Sequence, residues 1–272
     1  MADAPRLHPR TIPSGDRRLF VLDVLPASTQ PHAWLIHHPP LGEEMIRARR
    51  PVSLIARRFA DSGIGVRLLD PTGTGDSGGD GRDVTLRTWT DDLHAAYDDA
   101  TRRIDVPVAI WGTRAGALIA AQVAWAHAYV FLAPVRDGRA YVRQTRRVAQ
   151  SESGAAAESA DQRPDSGLVW LWGHPIPRAF LDELAGLALA PASPTESGGC
   201  LLTVRDSTHR EQDAPARDWS QVMPAPRFWA VEGAELPDAA LTVVDAAAVR
   251  LRELLAAPAA TNPIEAAHAP RR

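Results

Sequence analysis

The stretch VAIWGTRAGAL, residues 108–118, decides which fold this chain is expected to have. Four apolar residues run into a turn that has glycines at positions 112 and 116, and small helix-forming residues follow. This pattern predicts a buried strand that turns sharply into a helix, with Arg114 at the tip of the turn. Glycine is needed on both sides of the tip because side chains there would collide with the neighbouring strand and helix.

The rest of the chain alternates short apolar runs with amphipathic stretches, which is typical of parallel strands joined by crossover helices. We predict an α/β fold with a mostly parallel central sheet, helices on both faces and a small cap insertion. The predicted strands are 18–25, 32–38, 65–70, 107–111, 128–132, 168–172, 200–204 and a short last one at 228–231; the predicted helices are 47–62, 86–103, 115–125 and 238–255.

The predicted domain organisation is simple. A single domain is expected over residues 1–257, because the length suits one large α/β unit. We expect the cap insertion at about 135–173, with a flexible polar loop at about 150–166 and a disordered tail at 258–272.

The turn at Arg114 has the context of the nucleophile elbow G-x-S-x-G of α/β hydrolases, but arginine stands where that motif has serine. A guanidinium group stays protonated and has no usable lone pair, so it cannot attack a carbonyl carbon. Thr113 and Ala115 flank it, but such a turn presents only its central side chain to the pocket. Ordinary serine-hydrolase chemistry is therefore not expected.

A second segment, HHPPLGEEM at residues 37–45, follows a predicted strand at the place where this fold builds its oxyanion hole. The two prolines have no N–H group, so the expected amide donors are Leu41 or Gly42 together with Ala115. Glu43 and Glu44 follow directly. The loop DPTGTGDSG at residues 70–78 matches the D-x-x-G-x-G-x-S pattern that commonly precedes the elbow, which favours the same fold.

A catalytic triad also needs an acid and a histidine, and the sequence does not supply both at their expected places. Asp206 follows a predicted strand at the place of the acid, although an exposed loop aspartate is an equally good interpretation. The histidine should follow the last strand, yet no histidine lies between His209 and His268. His209 is only three residues after Asp206, which is too near for the usual arrangement. Because triad residues act as a unit, little activity should remain.

Four segments together resemble the exosortase A system-associated hydrolases of the second type. They are PPLGEEM with the arginine-rich helix that follows, WGTRAGALIA, APVRDGRAYVRQTRR and the late RFW, within a similarity that spans roughly residues 32–255. The resemblance implies an α/β-hydrolase fold, a link to the bacterial exosortase and exopolysaccharide system, and an arginine at the elbow as a feature of the lineage.

Two hypotheses for Arg114 follow. It either seals the pocket by pairing with Glu43, Glu44 or Asp206, or it holds a carboxylate or phosphate of a ligand against the amides of Leu41 and Ala115. The corresponding function is a catalytically impaired pseudo-hydrolase that binds a small acidic or acyl ligand or a partner protein. The alternative is an active ester or thioester hydrolase or acyltransferase that uses water or an unusual nucleophile such as Cys200.

The composition of the chain limits the classes of partner and cofactor that we expect. The formal net charge of −3 gives no general reason to expect nucleic acid or an anionic membrane surface, and no apolar run is long enough for a membrane span. A single cysteine excludes an internal disulfide and a multi-cysteine metal site. We therefore expect a cytoplasmic protein with no metal and no cofactor, and the sequence leaves a partner protein or a homo-oligomer open.

Overall fold

The computed structural model describes residues 3–27, 30–102, 105–123, 126–153, 167–189, 199–205 and 219–256. Its strands are β1 (Arg6–Ser14), β2 (Arg17–Leu25), β3 (Ala33–His38), β4 (Ile64–Leu69), β5 (Val108–Thr113), β6 (Tyr129–Leu132), β7 (Leu168–Leu171), β8 (His174–Pro177), β9 (Gly199–Arg205) and β10 (Trp219–Pro224). Its helices are α1 (Glu43–Asp61), α2 (Leu86–Thr101), α3 (Gly116–Ala120), α4 (Gly138–Ser153), α5 (Arg178–Ala185) and α6 (Asp238–Ala256).

Eight of these strands form one sheet in the order β1-β2-β4-β3-β5-β6-β9-β10. The strands from β4 to β10 in that order are parallel, whereas β1 and β2 are antiparallel to each other and β2 is antiparallel to β4. The carboxyl ends of the parallel strands therefore meet at one edge of the sheet. This edge carries the elbow at the end of β5, and it is the usual place for a binding site.

Helices cover both faces of the sheet, as the sequence predicts. On one face α1 packs its buried row of Val52, Ile55 and Phe59 beside Val244 and Leu251 of α6. On the other face α2 and α3 bury a separate apolar cluster, and the hydroxyl of Thr85 caps α2 by accepting from the amide of Thr88. The predicted α/β class with a mostly parallel sheet is confirmed.

The chain leaves the sheet between β6 and β9. The described residues there form α4, the β7–β8 hairpin and α5, so the predicted strand at 168–172 belongs to a small separate sheet. The cap expected at 135–173 falls within this excursion, which continues beyond α5. Of the loop expected at 150–166, residues 150–153 end α4 and residues 154–166 lie outside the described ranges, as does the tail at 258–272.

Two predictions about the elements are wrong, and five of the described elements are not predicted: β1, β8, β10, α4 and α5. Residues 228–231 form a turn and not a strand, and the last strand is β10. The apolar signal at 228–231 comes from Phe228 and Trp229, whose side chains extend from this turn into the protein and are buried. The prediction missed β1, because this edge strand is mostly exposed and lacks an apolar run. The helix predicted at 115–125 ends at Ala120.

A buried ionic cluster connects the antiparallel edge of the sheet to α2. The guanidinium of Arg67 is fully buried and donates to both carboxylate oxygens of Asp23, at 2.7 and 2.9 Å, and to the carbonyl of Ala96. It also pairs with Asp99 at 3.0 Å, and Arg10 reaches both aspartates from β1. Each buried charge therefore has a partner, which burial of a charge requires.

Within the described ranges, no helix has both the length and the apolar character needed to cross a membrane.

Candidate functional site

The turn predicted at residue 114 is present. Arg114 has φ of 54°, a left-handed conformation that few residues other than glycine adopt. A Cβ atom on Gly112 would lie 2.4 Å from the Cα of Ala117, and one on Gly116 would lie 2.4 Å from the carbonyl oxygen of Pro39. Both positions require glycine, because α3 and the chain after β3 approach the turn closely.

The guanidinium of Arg114 has partners on every side. Its Nε and Nη2 atoms donate to Oε1 of Glu44 at 3.3 and 3.2 Å, and its Nη1 atom donates to the carbonyl oxygen of Ala133 at 3.2 Å. Its Cζ atom lies 4.6 Å from the ring centre of Trp229, a distance typical of a cation–π contact. Both charged side chains are mostly buried, with 18% of Arg114 and 14% of Glu44 exposed.

The second oxygen of Glu44 is also occupied. The hydroxyl of Tyr141, on α4, donates to Oε2 of Glu44 at 3.1 Å. Burial, followed by the charge of Glu44, raises the pKa of Tyr141 well above its usual value of 10, although Arg114 and a hydrogen bond with Thr145 act in the opposite direction. Tyr141 therefore stays protonated at neutral pH and serves as a hydrogen-bond donor.

These side chains line a cavity of about 310 Å³ at the carboxyl edge of the sheet, which we call the Arg114 cavity. Its charged residues are four arginines and two glutamates, a formal balance of +2: Arg47, Arg114, Arg136, Arg227, Glu43 and Glu44. Glu43 pairs with Arg47 at 3.2 Å, just as Glu44 pairs with Arg114. The aromatic rings of Trp172 and Trp229 complete the lining together with Tyr141. The lining is therefore basic and partly aromatic.

The residues predicted as oxyanion-hole donors do not line the Arg114 cavity, and their role as amide donors stays a prediction. Leu41 and Gly42 line a second, mostly apolar cavity of about 420 Å³, and Ala115 is 1% exposed and lines neither cavity. The ring of Trp172 lies 3.6 Å from the place of a Cβ on Gly42, next to the Arg114 cavity. The structure thus brings Glu43, Glu44 and Arg114 together, while Leu41 and Gly42 line a different cavity.

The triad positions are only partly described. Asp206 and His209 lie outside the described residues, although β9 ends at Arg205, so Asp206 follows directly after that strand. After β10, residues 225–237 contain no histidine, and Trp229 contacts Arg114 from this segment. Sequence reasoning missed this role of Trp229 because the residue was part of a predicted strand at 228–231 and of the RFW segment in the family resemblance, and neither assigns it a contact.

Two buried histidines lie near the elbow. Nε2 of His37 is 3.0 Å from the hydroxyl of Thr113, and Nδ1 of His38 is 3.0 Å from the carbonyl oxygen of Pro39. Burial lowers the pKa of His37 well below 6.5 and that of His38 to about 4, so both rings are neutral at pH 7. Neither histidine lines the Arg114 cavity, and the side chain of Thr113 is fully buried. They therefore do not form a nucleophile and base for this cavity.

Cys200 is the second residue of β9, within the body of the sheet. It lies level with Val130 of β6 and thus with Trp111 of β5, three residues before Arg114. At about 3.3 Å per strand residue, the backbone at Cys200 is roughly 10 Å back from the elbow. Among the residues that the structure places, no group of three or more His, Cys, Asp or Glu is arranged to hold a metal ion.

Comparison with known proteins agrees with this architecture. Residues 47–166 match the family model described as serine aminopeptidase, S33. No curated protein sequence matches the chain significantly. The chain is similar in structure to a proline iminopeptidase-related protein from Thermus thermophilus, with 19% identity, 92% of this chain and 100% of that chain covered, and a TM-score of 0.54.

Two further solved structures are similar over the same extent. Est1E from Butyrivibrio proteoclasticus, solved with ferulic acid bound, is 15% identical with a TM-score of 0.55. Mouse alpha/beta hydrolase domain-containing protein 10 is 16% identical with a TM-score of 0.54. In both cases 92% of this chain and 100% of the other chain are covered. Because the identities are low, these likenesses show the fold alone. The chain has the α/β-hydrolase fold and is an α/β-hydrolase-like protein.

Proposed function

We propose that this protein is a catalytically impaired hydrolase that binds a small anionic ligand in the Arg114 cavity. One observation carries the proposal: the residue at the tip of the elbow is an arginine, held in place by Glu44, Ala133 and Trp229. A permanent cation therefore stands at the position from which a serine hydrolase attacks its substrate.

The surroundings of Arg114 support the loss of hydrolysis. A nucleophile needs a base within hydrogen-bonding reach, and the segment after β10 offers Trp229 in place of a histidine. The backbone of Cys200 is remote from the elbow, so an alternative reaction through that thiol has no support from its position. The alternative of an active ester or thioester hydrolase or acyltransferase rests on water, or on a base supplied by residues outside the described ranges.

The charge of the cavity supports an anionic ligand. Glu44 neutralises Arg114, which favours the hypothesis that the protein itself supplies the compensating charge. Arg136 then provides excess positive charge at the lining, because it is exposed and has no ion-pair partner among the described residues. A ligand carboxylate or phosphate would bind toward Arg136, beside Arg227, with Arg114 behind it as a fixed cation.

The volume of the cavity and its lining residues limit the size and the character of the part of the ligand that is not charged. A volume of about 310 Å³ suits a small molecule, and the rings of Trp172 and Trp229 offer apolar surface beside the arginines. A short acyl carboxylate or a small phosphate ester combines both features. Leu41 and Gly42 remain proposed contacts only for a ligand long enough to pass Trp172.

The proposed loss of hydrolysis is tested with p-nitrophenyl esters and a fluorophosphonate probe. We expect no turnover above the buffer rate and no covalent labelling, for the wild type and for the Cys200→Ala and His209→Ala variants alike. Turnover that disappears in either variant would establish the alternative function.

Ligand binding is tested by thermal unfolding with inorganic phosphate or hexanoate. We expect the ligands to raise the melting temperature of the wild type but not of an Arg136→Gln/Arg227→Gln variant. An Arg114→Gln/Glu44→Gln variant, which removes the ion pair without leaving an isolated charge, should retain part of the shift. The control Arg87→Gln changes one exposed arginine of α2 outside the cavity lining. Equal shifts in all variants would refute a site in the Arg114 cavity.

The cellular context is a separate proposal. The resemblance to the exosortase A system-associated hydrolases supports a cytoplasmic role in exopolysaccharide export or protein sorting, in which the ligand or a partner protein would belong to that system. Deletion of the gene should then alter the exported polysaccharide, and complementation with an Arg136→Gln/Arg227→Gln variant should fail. An unchanged polysaccharide after deletion would contradict this context.

A further inference from the structure

The cap helix α4 and the residues before it carry a concentration of unpaired positive charge. Five arginines lie within twelve residues, and none has an ion pair or a hydrogen-bond partner for its side chain in the described part of the chain: Arg136, Arg139, Arg143, Arg146 and Arg147. Many arginines elsewhere pair with carboxylates, as Arg49 does with Asp70 and Arg50 does with Glu235. The proposed function accounts only for Arg136.

Three of these arginines form a straight row on the exposed side of α4. Arg139, Arg143 and Arg147 are four residues apart and all exposed, so they lie above one another along about 12 Å of helix; we call them the basic row. Like charges at this spacing destabilise an isolated helix. Their charges are therefore spread along the helix and are not gathered at one point. The row therefore fits an extended partner that carries many negative charges.

Apolar side chains are exposed near the same face. Val148 follows the basic row directly and lines the Arg114 cavity, and it is 37% exposed. Val231 is 51% exposed and follows Ala230, which also lines that cavity, while Ile46 on the first turns of α1 is 50% exposed. Val148 and Val231 thus lie in or next to the lining of the Arg114 cavity, and Ile46 lies on α1 between Glu44 and Arg47, which both line it.

We propose that this face, formed by α4, the first turns of α1 and the turn after β10, docks on an anionic phospholipid surface. Clusters of arginines on an amphipathic helix are attracted to anionic lipid headgroups, and exposed apolar side chains beside them can enter the boundary with the acyl chains. A nucleic acid, or a peptide segment made of acidic residues alone, would use the arginines but not the apolar residues. The net charge of −3 gives no sign of this surface, because the positive charge is local.

The proposal does not depend on ligand binding in the Arg114 cavity. It is tested by co-sedimentation of the full chain with phosphatidylcholine vesicles, with and without phosphatidylglycerol. Each arginine near such a surface contributes about a fivefold gain in partitioning, so Arg139→Gln/Arg143→Gln/Arg147→Gln should bind on the order of 100-fold more weakly. Glutamine is a good helix former, so α4 should remain intact in this variant, which circular dichroism checks.

A matched control removes the same charge elsewhere. Arg57→Gln/Arg87→Gln/Arg252→Gln changes arginines on α1, α2 and α6 outside this face and should bind anionic vesicles nearly as well as the wild type. Val148→Ser/Val231→Ser should weaken vesicle binding without changing its salt dependence. The proposal would be overturned by equal binding to neutral vesicles, by an equal loss in the control, or by row-dependent binding to double-stranded DNA without binding to vesicles.

Discussion

Replacement of Arg114 by alanine should destabilise the protein by about 3 kcal/mol, although the position is at the surface of a cavity. Three contributions are lost together: the pair with Glu44, the hydrogen bond to the carbonyl of Ala133, and the contact with the ring of Trp229. The carboxylate of Glu44 is 14% exposed, so it would be left as a largely buried charge, with Tyr141 as its remaining partner among the described residues.

The measurement is chemical denaturation of four proteins: wild type, Arg114→Ala, Glu44→Gln and the double variant. Because the double variant contains no stranded charge, it should be more stable than Arg114→Ala by about 1 to 2 kcal/mol. The coupling energy between the two residues is this difference together with the destabilisation measured for Glu44→Gln alone. For a domain of this size the single variant should melt roughly 6 to 12 °C lower. A loss below about 0.5 kcal/mol for Arg114→Ala, or strictly additive effects, would refute the pairing at the elbow.

Three further predictions concern the frame around the site. Gly116→Ala should be destabilised by several kcal/mol or fail to fold, since its Cβ would meet the carbonyl of Pro39 at 2.4 Å; denaturant titration measures this. Burial lowers the pKa of His38 from 6.5 to about 4, so the unfolded chain binds the extra proton between those values, and stability should fall by about 3 kcal/mol as pH drops from 6.5 to 4. A His38→Gln variant should show a shallower fall, and an identical profile would contradict this assignment. Arg67→Met should lower the free energy of unfolding by about 3 to 5 kcal/mol, because Asp23 loses its bidentate partner; denaturant titration measures this. An unchanged free energy of unfolding would contradict the role of Arg67 in the buried ionic cluster.

The elbow could be predicted from sequence because its requirements are local. Two glycines four residues apart, a preceding apolar run and small residues afterwards are all consequences of one tight turn. The same holds for α1 and α6, whose buried faces have the helical period. Sequence also identified Glu44 as a partner for Arg114, since the fold brings the end of β3 next to the elbow, although Glu43 and Asp206 could not be distinguished from it.

The partners from distant parts of the chain could not be predicted. Tyr141 and Trp229 reach Arg114 and its partner Glu44 from the cap and from the turn after the last strand, and no local pattern encodes either contact. The turn around Trp229 was predicted as a strand because buried aromatic residues give the same apolar signal in both structures. The cavity that Leu41 and Gly42 line could not be predicted either, because the ring of Trp172 next to Gly42 comes from the cap, far along the chain.

The turn after β5 presents residue 114, and not its neighbours, to a cavity. The most direct test of this arrangement is the rate at which iodoacetamide modifies the native Arg114→Cys and Thr113→Cys variants, with the wild type as the background for Cys200. Arg114 is 18% exposed and lines the cavity, whereas Thr113 is fully buried, so rapid modification is predicted at position 114 only. Equal rates at the two positions, or faster modification at position 113, would contradict the account.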